Sequence, residues 1–248
     1  MQAFEGVDFY GALQLLAGKA GVTLEHGDPR TRGEKADLYR AMEEAVLFYE
    51  RTLRESPLVR EYLKKRGVSD ESVRDFRVGF AKSDWRSLLS FLITRGIKEE
   101  TLLKVGLIVE SDGGRRYDRF RGRVMFPIAD SSGRVVAFSG RIFEPDAESS
   151  SSNKQEARKE AKYVNSPETA LYSKSSVLFG FDKAKRAIRD EGICVVVEGQ
   201  MDVIIAHQSG IRNTVAASGT ALSKEHLERI RRFTEKVVFA FDPDPAGF

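Results

Sequence analysis

The segment from Ile193 to Phe248 opens with Ile193-Cys194-Val195-Val196-Val197-Glu198-Gly199-Gln200-Met201-Asp202. It closes with Val237-Val238-Phe239-Ala240-Phe241-Asp242-Pro243-Asp244-Pro245-Ala246-Gly247-Phe248. Two apolar runs each stop at an acid. Ile193 to Val197 is continuous and largely β-branched, as expected of a strand buried on both faces of a parallel sheet. A helical segment through Met201, Ile204 and Ile205 follows, then a short run Thr214 to Ala217 and the turn Ser218-Gly219-Thr220. Ser223 is a good N-cap for a second helix, and Lys236 to Phe241 is the third apolar run. Strand, helix, strand, helix, strand predicts a parallel sheet with right-handed crossovers. Ligands of such sheets bind beyond the carboxyl ends of the strands, where Glu198 and Asp242 fall.

Each proline of Asp242-Pro243-Asp244-Pro245 pushes the residue before it into extended geometry. Side chains at i and i+2 then point the same way, with Cα atoms roughly 6.5 Å apart at about 3.3 Å per residue. Glu198 beside these two aspartates would gather three carboxylates, which cannot all ionise cheaply without a cation. Oxygen donors with no His or Cys cluster favour magnesium or manganese over zinc.

The 248 residues allow one large domain or two ordinary ones, and 41% hydrophobic with 31% charged residues predicts a soluble globular chain. Cys194 is the single cysteine, which excludes an internal disulfide and a cysteine-rich zinc site. The three histidines, His26, His207 and His226, have no ligand spacing and receive no role. No run approaches a membrane span, and the acid-bearing N-terminus is unlike a signal peptide. The expected location is the cytoplasm.

The first third reads as helical. Residues 4 to 22 carry a short helical pattern closed by Gly21, and Gly27 to Gly33 read as a polar linker. Leu38, Met42, Ala45, Val46, Tyr49 and Leu53 share one helix face, and Ser56-Pro57 restarts a helix that Gly67 ends. Short helices are expected over Asp70 to Phe76 and Ser87 to Thr94. Leu107 to Val109, Val124 to Ile128 and Val135 to Phe138 read as strands, the last two joined by a hairpin turn at Asp130 to Gly133. Arg115 to Arg141 holds seven arginines against two aspartates, an excess of five charges in a chain whose net charge is +3. Arg119, Arg121 and Arg123 would share one face of an extended segment. Such an array suits a nucleic-acid backbone, and equally a solvated edge strand. Residues 144 to 161 have the composition of a surface loop. Lys162-Tyr163-Val164-Asn165 precedes an expected Ser166-Pro167 helix start, and Leu178 to Ile188 supplies another helix.

Glu-Gly-x-Met-Asp after a hydrophobic strand, then Ser-Gly-Thr-Ala-Leu, then Phe-Asp-x-Asp-x-Ala-Gly resemble the Toprim fold of bacterial replicative DNA primases. The likeness extends upstream through Tyr117 to Ile128, Gly133 to Arg141 and Lys162 to Thr169, with Arg66-Gly67 ahead of Val78 to Ala81. It implies an α/β fold class: an α+β N-terminal subdomain followed by a truncated α/β parallel-sheet Toprim fold. Residues 1–33 would be the segment after the family's zinc-binding domain plus a linker. Residues 34–190 would be the N-terminal subdomain of the RNA polymerase core, and residues 191–248 a Toprim domain incomplete at its C-terminus.

By this resemblance the function is synthesis of short RNA primers on a single-stranded DNA template from ribonucleoside triphosphates, with a replicative helicase as partner of the full-length family member. Glu198, Asp242 and Asp244 match the acids that hold two magnesium or manganese ions and carry catalysis. Lys162, Tyr163, Asn165, Gly199 and Asp202 match nucleotide-binding positions, and Arg66, Arg119, Arg121, Arg141 and Lys162 the template groove. No zinc is expected here. Gln200 replaces a usual tyrosine, Ser139 a usual glycine and Pro243 a usually small residue. The likeness further implies a fragment, with a remaining acidic pair and a helicase-binding domain in sequence beyond Phe248. The alternatives are a catalytically incomplete single-stranded-DNA-binding fragment or another Toprim enzyme, a nuclease or topoisomerase.

Overall fold

Helix α1 (Pro29–Arg54) runs for 26 residues and buries the predicted face: Leu38, Met42, Ala45, Val46, Tyr49 and Leu53 are all nearly inaccessible. The structure, a computed structural model, describes residues 29–144, 161–217 and 221–241. The chain divides into two units, residues 1–36 and residues 37–248. The expected linker is corrected over its second half, because Pro29 to Gly33 are helical. Pro29 opens the helix, where its fixed φ fits and its missing N–H costs no hydrogen bond.

Helix α2 (Pro57–Lys65) starts at a first-turn proline as expected, and Gly67, at φ +81°, ends it. Helix α3 (Asp70–Asp75) is capped by Ser69, whose Oγ accepts from the Ser72 amide at 3.1 Å. Then come β1 (Gly79–Ala81), α4 (Ser87–Thr94), α5 (Glu99–Lys104), β2 (Ile108–Glu110) and β3 (Arg116–Asp118). Strands β4 (Arg123–Ala129), β5 (Val135–Ile142) and β6 (Tyr163–Asn165) complete an antiparallel sheet of order β1-β4-β5-β6. The expected β4–β5 turn forms: the Asp130 amide donates to the Arg134 carbonyl at 2.8 Å, and Gly133 takes φ +82°. The Ser166-Pro167 helix start does not form. Ser166 instead continues the pairing, its amide donating to the Phe138 carbonyl and its Oγ accepting from the Phe138 amide, both at 2.9 Å, so the segment stays extended.

Both faces of this sheet are covered. Met125 and Phe138 pack with Tyr49 of α1, Leu88 and Leu92 of α4 and Leu102 of α5. Val124, Phe126 and Ile128 point the other way, against Leu63, Phe179, Val203 and Ile204. Gly79 is needed where β1 crosses α1, since a Cβ there would lie 2.5 Å from the Tyr49 Cβ.

Helix α6 (Phe181–Glu191), β7 (Cys194–Val197), α7 (Gln200–Gln208), β8 (Thr214–Ala216), α8 (Lys224–Arg231) and β9 (Val237–Phe239) follow. The three strands are parallel, as the apolar runs predicted, and the fold places them in the order β8-β7-β9. Cys194, Val196 and Val215 face Phe181, Ala184 and Ile188 of α6 and Ile230 of α8, whereas Val197 and Ala216 face α7 and the antiparallel sheet. That double cover explains why the β7 run is continuous rather than alternating. The boundary expected at 33/34 falls inside α1, and the one at 190/191 falls at the end of α6. One core runs across the latter, because Phe126, Val136, Val203 and Ile204 belong to the same cluster.

Candidate nucleic-acid and metal site

Arg141 lies near the end of β5, directly opposite Tyr163 of β6. Nearly all of it is buried, yet its guanidinium donates to two hydroxyls, Tyr62 Oη from Nε and Tyr163 Oη from Nη1, both at 3.0 Å. Burial disfavours its charge, and the Tyr163 and Tyr62 hydroxyls outweigh that, so its pKa sits above the usual arginine value. Arg66, just past the end of α2, is exposed and lies over the Tyr62 ring at 5.3 Å. Tyr62 thus connects the two predicted template arginines. Sequence reading missed it, although its place four residues before Arg66 is the helical spacing that makes such a pair. Lys162 is exposed at the start of β6, and its carbonyl accepts from the Ile142 amide at 3.0 Å. Tyr163 and Asn165 are half-buried, with Asn165 opposite Ser139.

The other arginines of the basic stretch do not form one array. Residues 119–122 leave the strand conformation, and Gly122 takes φ +59°. Arg119 Nε donates to the Gly106 carbonyl at 2.8 Å, Arg121 Nη1 to the Asp118 carbonyl at 2.5 Å and Arg123 Nη1 to the Ala161 carbonyl at 2.9 Å. The three therefore do not share a face. Burial lowers the pKa of Arg119. Arg116 is neutralised by Glu99, Glu100 and Glu110, and Arg134 by Asp130. Of the seven arginines in the stretch, Arg116 is paired with acids from outside it, and Arg119, Arg121 and Arg123 keep their charge but are held on backbone carbonyls. Asp118, wholly buried, accepts from the Leu88 and Leu89 amides at 2.8 and 2.9 Å and so caps α4. Desolvation raises its pKa despite those amides.

At the parallel sheet, Glu198 is exposed immediately after the central strand β7. Gly199 begins α7, and its amide donates to Asp202 Oδ2 at 3.0 Å, so Asp202 works as the third-position acid of a capping arrangement. Gln200 is buried at 3% exposure. Strand β9 lies beside β7: Val196 pairs with Phe239, and the Ala240 amide donates to the Val196 carbonyl at 2.9 Å. Asp242 and Asp244 lie outside the described residues. Among the described residues no group of three or more His, Cys, Asp or Glu side chains is placed to hold a metal ion.

Helix α7 joins the two regions. Its last residue, Gln208, accepts from the Ser69 amide at 2.8 Å and from Ser72 Oγ at 2.9 Å, and donates to the Gly67 carbonyl at 2.9 Å. One end of α7 therefore adjoins Glu198 and the other holds the turn that follows Arg66. No periodicity marks Gln208, because its partners are more than 130 residues away. His207 and His226 also acquire roles. His207 Nε2 pairs with the Thr214 carbonyl at 2.9 Å, and His226 Nδ1 accepts from the Ser223 amide at 3.2 Å at the start of α8. Burial lowers both pKa values. Among the described residues no helix is long and apolar enough to cross a membrane.

Residues 48–185 match the family model for the N-terminal domain of the DNA primase catalytic core, and residues 192–248 match the Toprim domain. The DNA primase of Pseudomonas putida is 40% identical over 98% of the chain, which spans 36% of that relative's length. The RNA polymerase domain of Mycobacterium tuberculosis primase, solved with a double-stranded DNA oligomer bearing a 6-nucleotide overhang, superposes with a TM-score of 0.75 at 40% identity, covering 86% of this chain and 65% of that one. A primase catalytic domain bound to single-stranded DNA gives a TM-score of 0.73 at 35% identity, covering 87% and 64%.

Proposed function

The chain belongs to the family of the DNA primase catalytic core, and from that premise we propose that it carries the nucleotidyl-transfer portion of a DNA primase. In this reading it acts in the cytoplasm, as a DNA-directed RNA polymerase making short RNA primers from ribonucleoside triphosphates on a single-stranded DNA template. The observation that carries the reading is the placing of Glu198 at the carboxyl tip of a central parallel strand, beside the strand that runs on toward Asp242. A replicative helicase is the partner the resemblance adds for the full-length protein.

Glu198, Asp242 and Asp244 would hold the cations, an all-oxygen donor set that suits magnesium or manganese. When bound, such ions offset the negative charge that builds on the transferring phosphoryl group and the departing pyrophosphate. Glu198 would also accept the proton of the attacking 3′ hydroxyl. Arg66, Arg141 and Lys162 would hold template phosphates, with Arg119 and Arg121 as further contacts, and Tyr163, Asn165, Gly199 and Asp202 would border the incoming nucleotide. Asp202 would act there indirectly, because its carboxylate is engaged by the Gly199 amide. Residues 34–190 would then be chiefly the template-holding half and residues 191–248 the chemical half.

Ribonucleotide incorporation on single-stranded DNA with magnesium or manganese tests the reading. Glu198→Gln is expected to lower the rate by at least about a hundredfold, roughly 2.7 kcal/mol of transition-state stabilisation, with template affinity unchanged. Incorporation at the wild-type rate in that variant would overturn the assignment.

A further inference from the structure

The C-terminal end of α1, helices α2 and α3, and Val78 just before β1 surround a cavity of about 310 Å³. Its apolar lining is aliphatic throughout: Leu53, Leu63, Val68 and Val78 are buried, and Val73 is half-buried. Three exposed arginines line it as well, Arg54 from α1, Arg60 from α2 and Arg74 from α3. The two carboxylates of the lining are engaged by other cations. Glu50 accepts from Arg77 Nε at 3.1 Å, and Asp70 lies 3.4 Å from Lys64 Nζ. Among the described residues no hydrogen bond or ion pair engages the guanidinium groups of Arg54, Arg60 and Arg74.

That arrangement is unfavourable without a counter-charge. Like charges lining one cavity repel one another, and Arg60 lies in the first turn of α2, where the positive end of the helix dipole disfavours a cation. An anion in the cavity relieves both, and guanidinium groups pair bidentately with carboxylate or phosphate oxygens. Small-molecule sites span about 300–1,000 Å³ and are mostly apolar with a few convergent polar groups, and this cavity falls at the small end of that range. A docked peptide needs a wide apolar surround. Yet Leu58 is the only large apolar side chain exposed across residues 50–78, the segment that supplies the lining. Single-stranded nucleic acid needs aromatic faces on which to stack, and no aromatic side chain is among the lining residues.

We propose that this cavity binds a small organic anion, an aliphatic or aryl body seated on Leu53, Leu63 and Val73 whose carboxylate, sulfonate or phosphate head is held by Arg54, Arg60 and Arg74. The site is separate from the residues assigned to template and chemistry, since none of Glu198, Arg66, Arg141 and Lys162 lines it. It nonetheless adjoins the element that joins those two regions. Helix α3 gives Val73 and Arg74 to the cavity, while Ser69 and Ser72 at its start bond to Gln208 of α7. An occupant thus packs against the same helix that holds the end of α7.

The aryl sulfonate 1-anilinonaphthalene-8-sulfonate has the required chemistry and serves as the probe. Its fluorescence is expected to rise saturably on titration with the full 248-residue chain, and NMR methyl shifts should fall on Leu53, Leu63, Val68, Val73 and Val78. Arg54→Ala and Arg74→Ala are each expected to weaken binding by about three- to thirtyfold, and the neutral N-phenyl-1-naphthylamine to bind at least about tenfold more weakly than the sulfonate. Val73→Phe should fill the cavity and abolish the shifts, with circular dichroism checking the fold; the two exposed arginines keep the test decisive if that variant unfolds. Arg186→Ala, an exposed arginine on α6, should leave dye affinity unchanged. Absence of saturable binding, shifts confined to other residues, or wild-type affinity in both Arg54→Ala and Arg74→Ala would overturn the site. So would wild-type affinity in a folded Val73→Phe, an equal loss in Arg186→Ala, equal binding of the neutral dye, or displacement of the sulfonate by oligothymidylate.

Discussion

The end of the antiparallel sheet and the carboxyl end of the parallel sheet handle charge in opposite ways. At the first, Arg141 is buried and bonded to two tyrosine hydroxyls, and Arg123 is buried against backbone carbonyls. At the second, Glu198 is exposed at a strand tip. Arg141, the central cation of the candidate site, is thus part of the packed scaffold, whereas Glu198 is exposed. Groups that grip a polymer can be fixed in advance, while a carboxylate that is to share a cation benefits from staying solvated until the cation arrives. Gln208 ties the two regions through helix α7, so each is placed relative to the other by one short rigid element.

This contrast predicts unequal consequences for stability. The largest effect is expected from Arg141→Ala, which removes two charge-assisted hydrogen bonds and leaves Tyr62 and Tyr163 short of a partner. A loss of about 2–3 kcal/mol in chemical denaturation is expected, together with weaker binding of single-stranded DNA. Arg141→Lys should restore little of it, because a single ammonium does not reproduce the guanidinium fork that reaches both hydroxyls. Wild-type stability in Arg141→Ala would erase the contrast.

A smaller effect should follow from pH. His226 is buried and His207 half-buried, both with pKa values lowered by desolvation, so the folded state prefers them neutral while the unfolded state takes up protons near the ordinary value of 6.5. Their contribution is present above about pH 6.5 and is lost as pH falls through the folded values. Thermal unfolding should therefore move to lower temperature between pH 7.5 and pH 5.5, and His226→Gln should reduce that shift. At the alkaline end, burial pushes the Cys194 thiol up to about 12, so in the folded protein it should resist alkylation at pH 8.

The smallest stability effect belongs to Glu198→Gln, expected to unfold within about 0.5 kcal/mol of wild type while losing manganese affinity by calorimetry. A large destabilisation there would make Glu198 a scaffold residue like Arg141 and remove the distinction between the two regions.

The sequence alone determined the parallel sheet. A continuous β-branched run, two helical spacers and two further apolar runs admit few arrangements, and β7, β8 and β9 are parallel as expected, while their order was set by the fold. The apolar face of α1, the proline start of α2 and the β4–β5 turn were legible for the same reason, since each is set by neighbours within a few residues. The pairing partners of Arg141, the capping of α4 by Asp118 and the reach of Gln208 to Ser69 were not legible, because they join residues about 30 to 140 positions apart. Ser166-Pro167 shows the same limit: a good local helix start stayed extended once the Phe138 backbone took its hydrogen bonds. The arginine stretch shows it most fully, since counting charge gives an excess of five, while only the folded chain decides which guanidinium groups meet carboxylates, which meet carbonyls and which remain for a ligand.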